Sequence, residues 1–356
     1  MNVDAVVLAG GFGTRLRPLT WDTPKPLVPI LGRPLLEWVI RGLPDDVVHV
    51  YLAAGFSSEK LERYVECNPL PRRLRLRVEP RPLDTAGAIK FACRDSTADA
   101  FIVFNGDVIS SLNVREMLRF HREHDGIATV ALYPVPEDEV SRFGVVELDG
   151  EDRIRRFVEK PDPEEAPSNL INAGAYVLDR EVLDYIPEGR PVSIEREVFP
   201  RLAEEGLLYG FRFEGYWIDV GLPETYLEAH RMLMDHECSD RALVGVRSDG
   251  ATLRDPVVID PMSELRGSTI GPYVYVGGRV RIGGSVIENS VILADARVEN
   301  AEIRDSIVAE RCRVRDAELD GCVLGHDAEV EGCTLRSVRV APGKEVSEDL
   351  EDRWVI

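Results

Sequence analysis

A repeat of single aliphatic residues near the end of the chain is the strongest constraint on the fold. These residues recur with gaps of 5, 5 and 6, and this set of three gaps occurs four times in succession. One inward side chain per face, with small or turn-forming residues between, is typical of a triangular parallel β-helix. The members of the repeat are Ile282, Ile287, Ile292, Val298, Ile303, Val308, Val314, Leu319, Leu324, Val330, Leu335, Val340 and Val346.

Glycines agree with this architecture, since Gly271, Gly277 and Gly283 lie where the first corners are expected. An antiparallel sandwich is the alternative, and it predicts strict two-residue alternation over longer strands with irregular spacing. The regular period favours the β-helix, with about five coils.

Before residue 236 the pattern differs, because β-branched apolar runs alternate with amphipathic helical stretches. Such alternation indicates a mostly parallel sheet covered on both faces. Ligands of these sheets bind beyond the carboxyl ends of the strands, so we expect function in the loops after Ala9 and Phe104. The predicted buried strands are 3–9, 47–53, 74–78 and 100–107, and the predicted helices are 34–43, 57–66, 85–95 and 114–124.

The loop after the first strand begins with a glycine cluster. Gly10, Gly11 and Gly13 let several backbone N–H groups approach one anion. A dinucleotide fingerprint would need this turn to open directly into a helix, and four prolines prevent that. The prolines are Pro18, Pro24, Pro26 and Pro29, and the Walker pattern GxxxxGK[ST] is absent.

Two cations follow the glycines. Arg15 can chelate phosphate oxygens, and Lys25 is one of only five lysines in the chain and lies between two prolines. Two unrelated surface charges are the simpler interpretation, but this placement favours a triphosphate site.

Two aspartates each follow a predicted strand. Asp107 ends the segment FNGD, and Asp219 lies in YWIDVG. Magnesium is usually held by one or two carboxylates together with phosphates and water, so such a pair is sufficient. Either aspartate by itself would be interpreted as a helix cap or a turn residue.

The N-terminal segment LAGGFGTRLRPLTWDTPKPLVPILGRPLL resembles the signature motif of the sugar-phosphate nucleotidyltransferase family. Further matches follow along the chain in family order: LDTAGAI at 83–89, FNGDVI at 104–109, FGVVE at 143–147, FVEKP at 157–161, INAGAYVL at 171–178, SIEREVFP at 193–200 and GYWIDVG at 215–221. The last two of these matches, together with the β-helix, most resemble the mannose-1-phosphate guanylyltransferase branch of the family.

With the two periodicities, the resemblance implies an α/β fold in which a Rossmann-like mixed, mostly parallel sheet precedes a C-terminal left-handed parallel β-helix. The expected parts are a catalytic domain over 1–236, a linker over 237–250, the β-helix over 251–346 and a tail over 347–356. The implied reaction joins an NTP and a sugar 1-phosphate, with Mg²⁺ as cofactor, and releases pyrophosphate. GTP and mannose 1-phosphate are the expected substrates, and glucose-1-phosphate uridylyl- or thymidylyltransferase is the alternative.

The resemblance also implies residue roles. Arg15, Lys25 and Asp107 would be catalytic, and Asp107 and Asp219 would bind the metal. The nucleotide would contact Leu8, Gly10, Gly11, Gly13, Thr14, Glu79, Thr85 and Gly87. The sugar phosphate would contact Gly144, Glu159, Lys160, Asn172 and Gly174.

Two of these assignments carry a physical argument. The carboxylate of Glu79 can accept hydrogen bonds from two donors of guanine but from only one donor of uracil or thymine, which favours guanine. Asp84, however, occupies a position where the family commonly has glycine, which argues against close approach of the backbone to the base. Lys160 precedes Pro161, which favours an extended backbone with the side chains of Glu159 and Lys160 directed apart.

Two other functions are alternatives. His326 is the only histidine in the predicted β-helix, and β-helices of this type occur in acyltransferases with a catalytic histidine. No inserted loop interrupts the repeat to build an acyl-CoA site, so a solvent-facing corner histidine is favoured. A regulatory subunit without turnover would be expected to lack Arg15, Lys25 or Asp107.

The net charge of −20 argues against binding to nucleic acid. With so few lysines it also suits a halophilic source, although a GC-rich genome would favour arginine as well. The six cysteines form no CxxC pair, which indicates reduced core residues rather than zinc ligands. Without a leader or a membrane-spanning run, we expect a soluble cytoplasmic protein that assembles as a homo-oligomer through the β-helix.

Overall fold

The structure, a computed structural model, describes residues 1–55, 59–67, 72–237 and 247–356. These residues form two compact units: Met1–Phe12 with Leu35–Asp219, and Gly13–Pro34 with Val220–Ile356. The units depart from the predicted boundary at 236, because residues 13–34 and 220–236 group with the C-terminal half. Part of the predicted linker, including Cys238, lies outside the described residues.

Up to residue 237 the described part of the chain contains thirteen strands and six α-helices. The strands are β1 (Val3–Leu8), β2 (Pro29–Ile30), β3 (Arg33–Pro34), β4 (His49–Ala54), β5 (Arg73–Val78), β6 (Ala100–Asn105), β7 (Val108–Ser110), β8 (Ala128–Pro134), β9 (Gly144–Leu148), β10 (Ile154–Glu159), β11 (Leu170–Asp179), β12 (Leu208–Arg212) and β13 (Trp217–Asp219). The helices are α1 (Leu35–Ile40), α2 (Glu59–Cys67), α3 (Asp84–Cys93), α4 (Val114–Glu123), α5 (Phe199–Glu204) and α6 (Pro223–Glu237).

A nine-stranded sheet forms the first unit, in the order β10-β9-β11-β6-β1-β4-β5, with β8 pairing β11 and β12 pairing β8. Only β10 and β11 oppose the common strand direction, so the predicted mixed, mostly parallel sheet is confirmed. Since β1, β4, β5 and β6 are parallel, their carboxyl ends meet at one edge, where ligands of such sheets bind.

One strand differs from the expectation of burial. β5 is an edge strand, and its side chains are half-buried or exposed. Its alternating arginines explain the difference, since Arg75 and Arg77 lie over the ring of Tyr51, 5.8 and 5.5 Å from its centroid, and Nη2 of Arg77 pairs with Asp95 at 3.1 Å.

In the second unit, residues 247–355 form three parallel sheets of seven short strands each. Their strands are β14 (Arg247–Asp249), β15 (Thr252–Leu253), β16 (Val257–Ile259), β17 (Glu264–Arg266), β18 (Thr269–Ile270), β19 (Val274–Val276), β20 (Arg281–Gly283), β21 (Val286–Glu288), β22 (Val291–Ile292), β23 (Arg297–Glu299), β24 (Glu302–Arg304), β25 (Ile307–Val308), β26 (Arg313–Arg315), β27 (Glu318–Asp320), β28 (Val323–Leu324), β29 (Glu329–Glu331), β30 (Thr334–Arg336), β31 (Arg339–Val340), β32 (Glu345–Val346), β33 (Leu350–Glu351) and β34 (Trp354–Val355).

The aliphatic repeat faces the interior of this β-helix. All its members lie in strands and are at most 5% exposed, which confirms the parallel β-helix. Each face holds seven strands rather than about five, and the strands continue into the segment predicted as a tail. The end coils do not follow the 16-residue period. The strand partner of Arg247 is Glu264, one residue later than the period predicts, and the strand partner of Arg339 is Trp354, one residue earlier. The handedness of the coil stays a prediction.

Residues 13–34 pack against α6 within the same unit. The hydroxyl of Tyr226 donates to the carbonyl of Pro29 at 2.5 Å, and the amide of Leu31 donates to Nε2 of His230 at 3.2 Å. These contacts explain why the segment groups with the C-terminal half. Across the described ranges, none of the helices is both long and apolar enough to cross a membrane.

Candidate active site

A cavity of about 370 Å³ opens at the sheet edge of the first unit. It brings together six residues predicted from the sequence: Leu8, Gly10, Gly11, Glu79, Thr85 and Asp107. It also contains residues that sequence reasoning missed, among them Phe12, Gly55, Leu83, Asn105 and Gly106. Gly55 follows β4 directly, so the rule that ligands bind beyond the strand ends was the available signal.

Close backbone packing explains two of the glycines at this edge. A Cβ on Gly55 would lie 2.7 Å from the carbonyl oxygen of Gly10, and one on Gly106 would lie 2.5 Å from that of Leu8. Any side chain at either position would therefore displace the glycine-rich turn that lines the cavity.

Glu79 follows β5 and is 8% exposed. Its amide donates to the carbonyl of Ala54 at 2.9 Å, and its Oε2 accepts from the amide of Leu83 at 2.9 Å. Burial raises the pKa of this carboxyl above its ordinary value. Backbone contacts on two sides thus hold one carboxylate in the cavity wall.

Asp84, which replaces a glycine common in the family, has a backbone conformation that glycine favours. Its φ is 59°, in the left-handed region, and its Oδ1 accepts from the amide of Thr85 at 2.7 Å. Aspartate tolerates this conformation because its short side chain bonds locally. The backbone here therefore has a conformation that favours glycine, without a glycine.

Thr85 begins a network that the sequence did not reveal. Its hydroxyl donates to Oε2 of Glu195 at 2.7 Å and accepts from the amide of Ile194 at 2.9 Å. Gly87, by contrast, does not line this cavity. Its amide donates to the carbonyl of Val192 at 3.3 Å, so it lies where α3 packs on the segment before α5.

Asp107 directly precedes β7, and Asp219 is the last residue of the neighbouring strand β13. β7 and β13 pair antiparallel with Asp219 opposite Val108, the residue after Asp107. No group of three or more His, Cys, Asp or Glu residues able to hold a metal occurs in the part of the chain that the structure describes. A divalent ion at these two carboxylates would need phosphate and water oxygens as well, which suits Mg²⁺.

The predicted sugar-phosphate residues form a second group in the same unit. Gly144 pairs with Glu159 across β9 and β10, and a Cβ on Gly144 would lie 2.9 Å from Oε2 of Glu159. Burial, followed by the charge of Glu195, raises the pKa of Glu159. Glu195 therefore acts on the carboxylate of this group and also bonds Thr85 of the cavity.

Lys160 does not have the extended backbone that Pro161 favoured. Its φ is 51°, and its amine lies 3.8 Å from Oε1 of Glu159, so the expectation of divergent side chains was wrong. The amide of Lys160 donates to the carbonyl of Phe143 at 2.9 Å, which turns the chain at the end of β10. A tertiary hydrogen bond has overridden the local preference.

Asn172 and Gly174 lie at an irregularity in β11. The amide group of Asn172 donates to the hydroxyl of Tyr176 at 3.0 Å, and its Oδ1 accepts from the amide of Gly174 at 2.9 Å. Gly174 has φ 72°, and a Cβ there would lie 2.7 Å from the side chain of Asn105. Since Asn105 lines the cavity, this part of the sugar-phosphate group borders it.

Gly13, Thr14, Arg15 and Lys25 lie in the second unit. Instead of an α-helix, residues 13–34 contain two single 3₁₀ turns, Thr14–Leu16 and Lys25–Leu27, as the prolines predicted. The hydroxyl of Thr20 donates to the carbonyl of Gly13 at 2.6 Å, and a Cβ on Gly13 would lie 3.3 Å from Cβ of Lys25. The turn therefore brings Gly13 close to Lys25.

Family comparisons agree with both halves of the chain. The nucleotidyl transferase family matches residues 4–236, and the GMPPB C-terminal domain matches residues 253–356. The chain belongs to the nucleotidyl transferase family.

Relatives of this nucleotidyltransferase extend the comparison. Mannose-1-phosphate guanylyltransferase of Mycobacterium tuberculosis is 37% identical over 295 residues, which cover 82% of this chain and 81% of the relative. Mannose-1-phosphate guanyltransferase beta-B of Xenopus laevis is 40% identical over 263 residues, or 71% of each chain.

Solved structures match the first part of the nucleotidyltransferase. HddC from Yersinia pseudotuberculosis, complexed with GMP-PN, aligns with a TM-score of 0.54 and 30% identity over 64% of this chain and 98% of HddC. UDP-glucose pyrophosphorylase complexed with UDP-glucose aligns with a TM-score of 0.59 over 66% of this chain and 99% of that one. At 21% identity, the second match supports the fold alone.

Two further expectations concern side chains outside the cavity. His326 was expected to face solvent at a corner, but its side chain is 23% exposed and its Nε2 lies 2.7 Å from Oδ2 of Asp22. Most cysteines were expected in the core, and Cys93, Cys312, Cys322 and Cys333 are buried free thiols, whereas Cys67 is exposed.

Proposed function

We propose that this nucleotidyltransferase transfers a guanylyl group from GTP to mannose 1-phosphate, giving GDP-mannose and pyrophosphate. The observation that carries the proposal is the similarity to mannose-1-phosphate guanylyltransferases, which extends over more than two thirds of the chain. The match of residues 253–356 to the GMPPB C-terminal domain supports the same choice.

Glu79 supports guanine as the base. An ionised carboxylate offers about four acceptor positions, and the amide of Leu83 uses one of them. The remaining positions can accept from N1–H and the exocyclic amine of guanine together. Uracil and thymine present a single donor on that edge and would leave an acceptor of a buried carboxylate unsatisfied, which costs about 1–3 kcal/mol.

The transfer is an in-line attack by a phosphate oxygen of the sugar phosphate on the α-phosphorus, with pyrophosphate as leaving group. No covalent protein intermediate is needed, because the sugar phosphate is itself the nucleophile. Arg15, Lys25 and the amides of Gly10 and Gly11 would neutralise the triphosphate and the departing pyrophosphate.

Asp107 and Asp219 would hold Mg²⁺, which when bound neutralises phosphate charge and orients the reacting oxygens. On the sugar side, Lys160 would contact the incoming phosphate. Glu159 and Asn172 would bond sugar hydroxyls, and the negative charge of Glu195 would favour a higher pKa of Glu159.

We also propose a cytoplasmic homo-oligomer assembled through the β-helix. Large apolar side chains are exposed in its end coils, namely Met262 (60%), Trp354 (42%) and Ile356 (75%). Open sheet edges need covering, and a second copy would cover them. Light scattering on the full chain would test this, and a monomer at micromolar concentration would contradict it.

The test of the reaction is a matrix of pyrophosphate release. GTP, UTP, dTTP, ATP and CTP would each be combined with mannose, glucose and N-acetylglucosamine 1-phosphate, with Mg²⁺ present. GTP with mannose 1-phosphate should have the highest kcat/KM. A higher value for UTP or dTTP with glucose 1-phosphate would replace the substrate assignment, and no release from any pair would refute the activity.

A further inference from the structure

His326 lies at a corner of the β-helix and contacts two carboxylates. Its Nε2 is 2.7 Å from Oδ2 of Asp22, and its Nδ1 is 2.7 Å from Oδ2 of Asp327. A carboxylate can only accept, so a ring between two carboxylates bonds both when both of its nitrogens carry hydrogen. Asp22 lies in residues 13–34, here called the signature loop, between Arg15 and Lys25.

The β-helix side of this contact is itself fixed. Arg311 donates from Nε and Nη2 to the two oxygens of Asp327, both at 2.7 Å. These bonds, and then the bond with His326, lower the pKa of Asp327 to about 2. Two-point guanidinium–carboxylate pairing sets geometry as well as charge. Asp22, His326, Asp327 and Arg311 together are called the corner network.

A second contact reaches the signature loop from the next coil. The guanidinium of Arg339 donates to the carbonyl of Arg15 at 3.3 Å. It lies over the ring of Trp354, 5.3 Å from the centroid, and 3.8 Å from the carboxylate of Glu224. The β-helix therefore contacts the loop at Arg15 and at Asp22, on either side of the cis Arg17–Pro18 bond.

We propose that His326 and Arg339 are positioning residues, through which the β-helix holds the signature loop so that Arg15 and Lys25 meet the triphosphate in one geometry. The inference rests on the proposed function, which gives Arg15 and Lys25 their roles. Long cationic side chains such as those of Arg15 and Lys25 sample many conformations unless tertiary contacts restrict them. Displacements of about 1 Å at positioning groups can lower rates about a hundredfold.

The β-helix supplies a matched control. Arg279 and Asp295 form the same two-point pair two coils earlier, with N–O distances of 2.7 and 2.6 Å. The bonds of both pairs join two coils of the β-helix, but Asp327 also contacts His326, which bonds Asp22 of the signature loop. Asp295→Ala therefore removes an equivalent corner pair, while Asp327→Ala removes one that supports His326.

The experiment is a double-mutant cycle on the full chain. Asp22→Ala and His326→Ala should each lower kcat/KM for GTP about tenfold, and the double variant should be no worse than the more impaired single variant. His326→Gln, which keeps one donor nitrogen, should recover part of the loss, and Asp295→Ala should stay within about twofold of wild type. Hydrogen exchange of the amides of residues 14–28 should accelerate in His326→Ala and not in Asp295→Ala.

Two results would overturn the proposal. One is a double variant whose loss equals the product of the single losses, since residues that act through one contact cannot lose it twice. The other is unchanged hydrogen exchange in the signature loop of His326→Ala. If the wild-type chain itself releases no pyrophosphate with any substrate pair, the proposed function fails, and the exchange data alone decide whether the corner network holds the loop.

Discussion

The β-helix and the α/β sheet bring residues together over very different distances along the chain. In the β-helix, each strand pairs with the strand one coil later on the same face, as Arg281 does with Arg297. In the α/β unit, Val3 of β1 pairs with Ala100 of β6, and Val108 of β7 pairs with Asp219 of β13. The β-helix repeats one pairing between neighbouring coils, whereas the α/β sheet brings together the ends of strands that are far apart in the sequence.

This difference has consequences for mutation. In a β-helix each coil contacts only its neighbours, so stability is approximately a sum of similar local terms. In the sheet, one strand contributes both to the core and to the cavity. We therefore expect changes in the β-helix to affect stability alone, except where it contacts the signature loop.

The largest effect is expected at Asp107, which the proposed function makes a metal ligand. Asp107→Asn should lower kcat at least about a thousandfold, equivalent to about 4 kcal/mol, because a neutral amide is a much weaker ligand and charge for the metal–phosphate centre. Steady-state pyrophosphate release measures this. Asp320→Asn, at the end of β27, is the control and should behave as wild type; near-normal turnover in Asp107→Asn would remove its catalytic role.

Two buried isoleucines test the comparison directly. Ile303→Ala in β24 and Ile102→Ala in β6 both truncate a side chain that is at most 1% exposed, and each should lower the free energy of unfolding by about 2–5 kcal/mol. Only Ile102→Ala should also lower kcat/KM at 25 °C, because β6 carries Asn105 and leads to Asp107. Denaturant unfolding and steady-state kinetics would be measured on both variants. An equal loss of kcat/KM in both would contradict the distinction between the sheet and the β-helix.

His230 should make stability depend on pH. Burial lowers its pKa to about 4 from an ordinary 6.5. Between these values the unfolded chain binds a proton that the folded chain excludes, so the free energy of unfolding falls as pH decreases from 6.5 to 4, by at most about 3 kcal/mol.

Denaturant unfolding at pH 7 and pH 4.5 measures this loss. His230→Gln, which does not titrate, should lose less stability than wild type over the same interval, and the difference isolates the histidine from the carboxylates. The same loss in both proteins would contradict the assignment.

A smaller effect is expected at Glu79, which the proposed function places against the guanine base. Glu79→Gln should raise KM for GTP about tenfold, or about 1.4 kcal/mol, with kcat nearly unchanged, because the amide offers fewer acceptors to guanine. In wild type, KM for GTP should rise as the pH is lowered, because protonation of Glu79 removes acceptors for guanine. Since the pKa of Glu79 is raised, this rise should begin at a higher pH than for an ordinary carboxyl group. A GTP-to-UTP preference that is the same in wild type and variant would argue against base recognition by Glu79.

The smallest effect is expected on the surface of the β-helix. Arg313 and Glu329 pair at 2.8 Å between adjacent coils, with side chains 62% and 44% exposed. Arg313→Ala should change the free energy of unfolding by less than about 1 kcal/mol, and molar KCl should reduce the difference from wild type. Thermal unfolding at two salt concentrations measures both, and it also tests the halophilic hypothesis, since salt-independent melting and activity of the wild type would count against it.

The β-helix and the α/β unit are predictable from the sequence to different extents, for a physical reason. The period of the aliphatic residues predicted the β-helix, because each inward position depends only on its neighbours one coil away. It failed at the ends, where the first two coils are slightly longer than the period and the last is slightly shorter. In the α/β unit the local pattern predicted four of the nine strands of the sheet, whereas the role of Glu195, which lies in the segment SIEREVFP, was missed because it depends on the contact with Thr85.

The sequence by itself determined the two architectures, the glycine- and proline-rich loop that excludes a dinucleotide fold, and the residue types of a phosphate site. Only tertiary structure decided the left-handed conformation of Lys160, the edge position of β5 and the grouping of the signature loop with the C-terminal half. These outcomes depend on single hydrogen bonds and ion pairs between residues far apart in sequence, such as that of Asp22 with His326, and local preference contains no information about such partners.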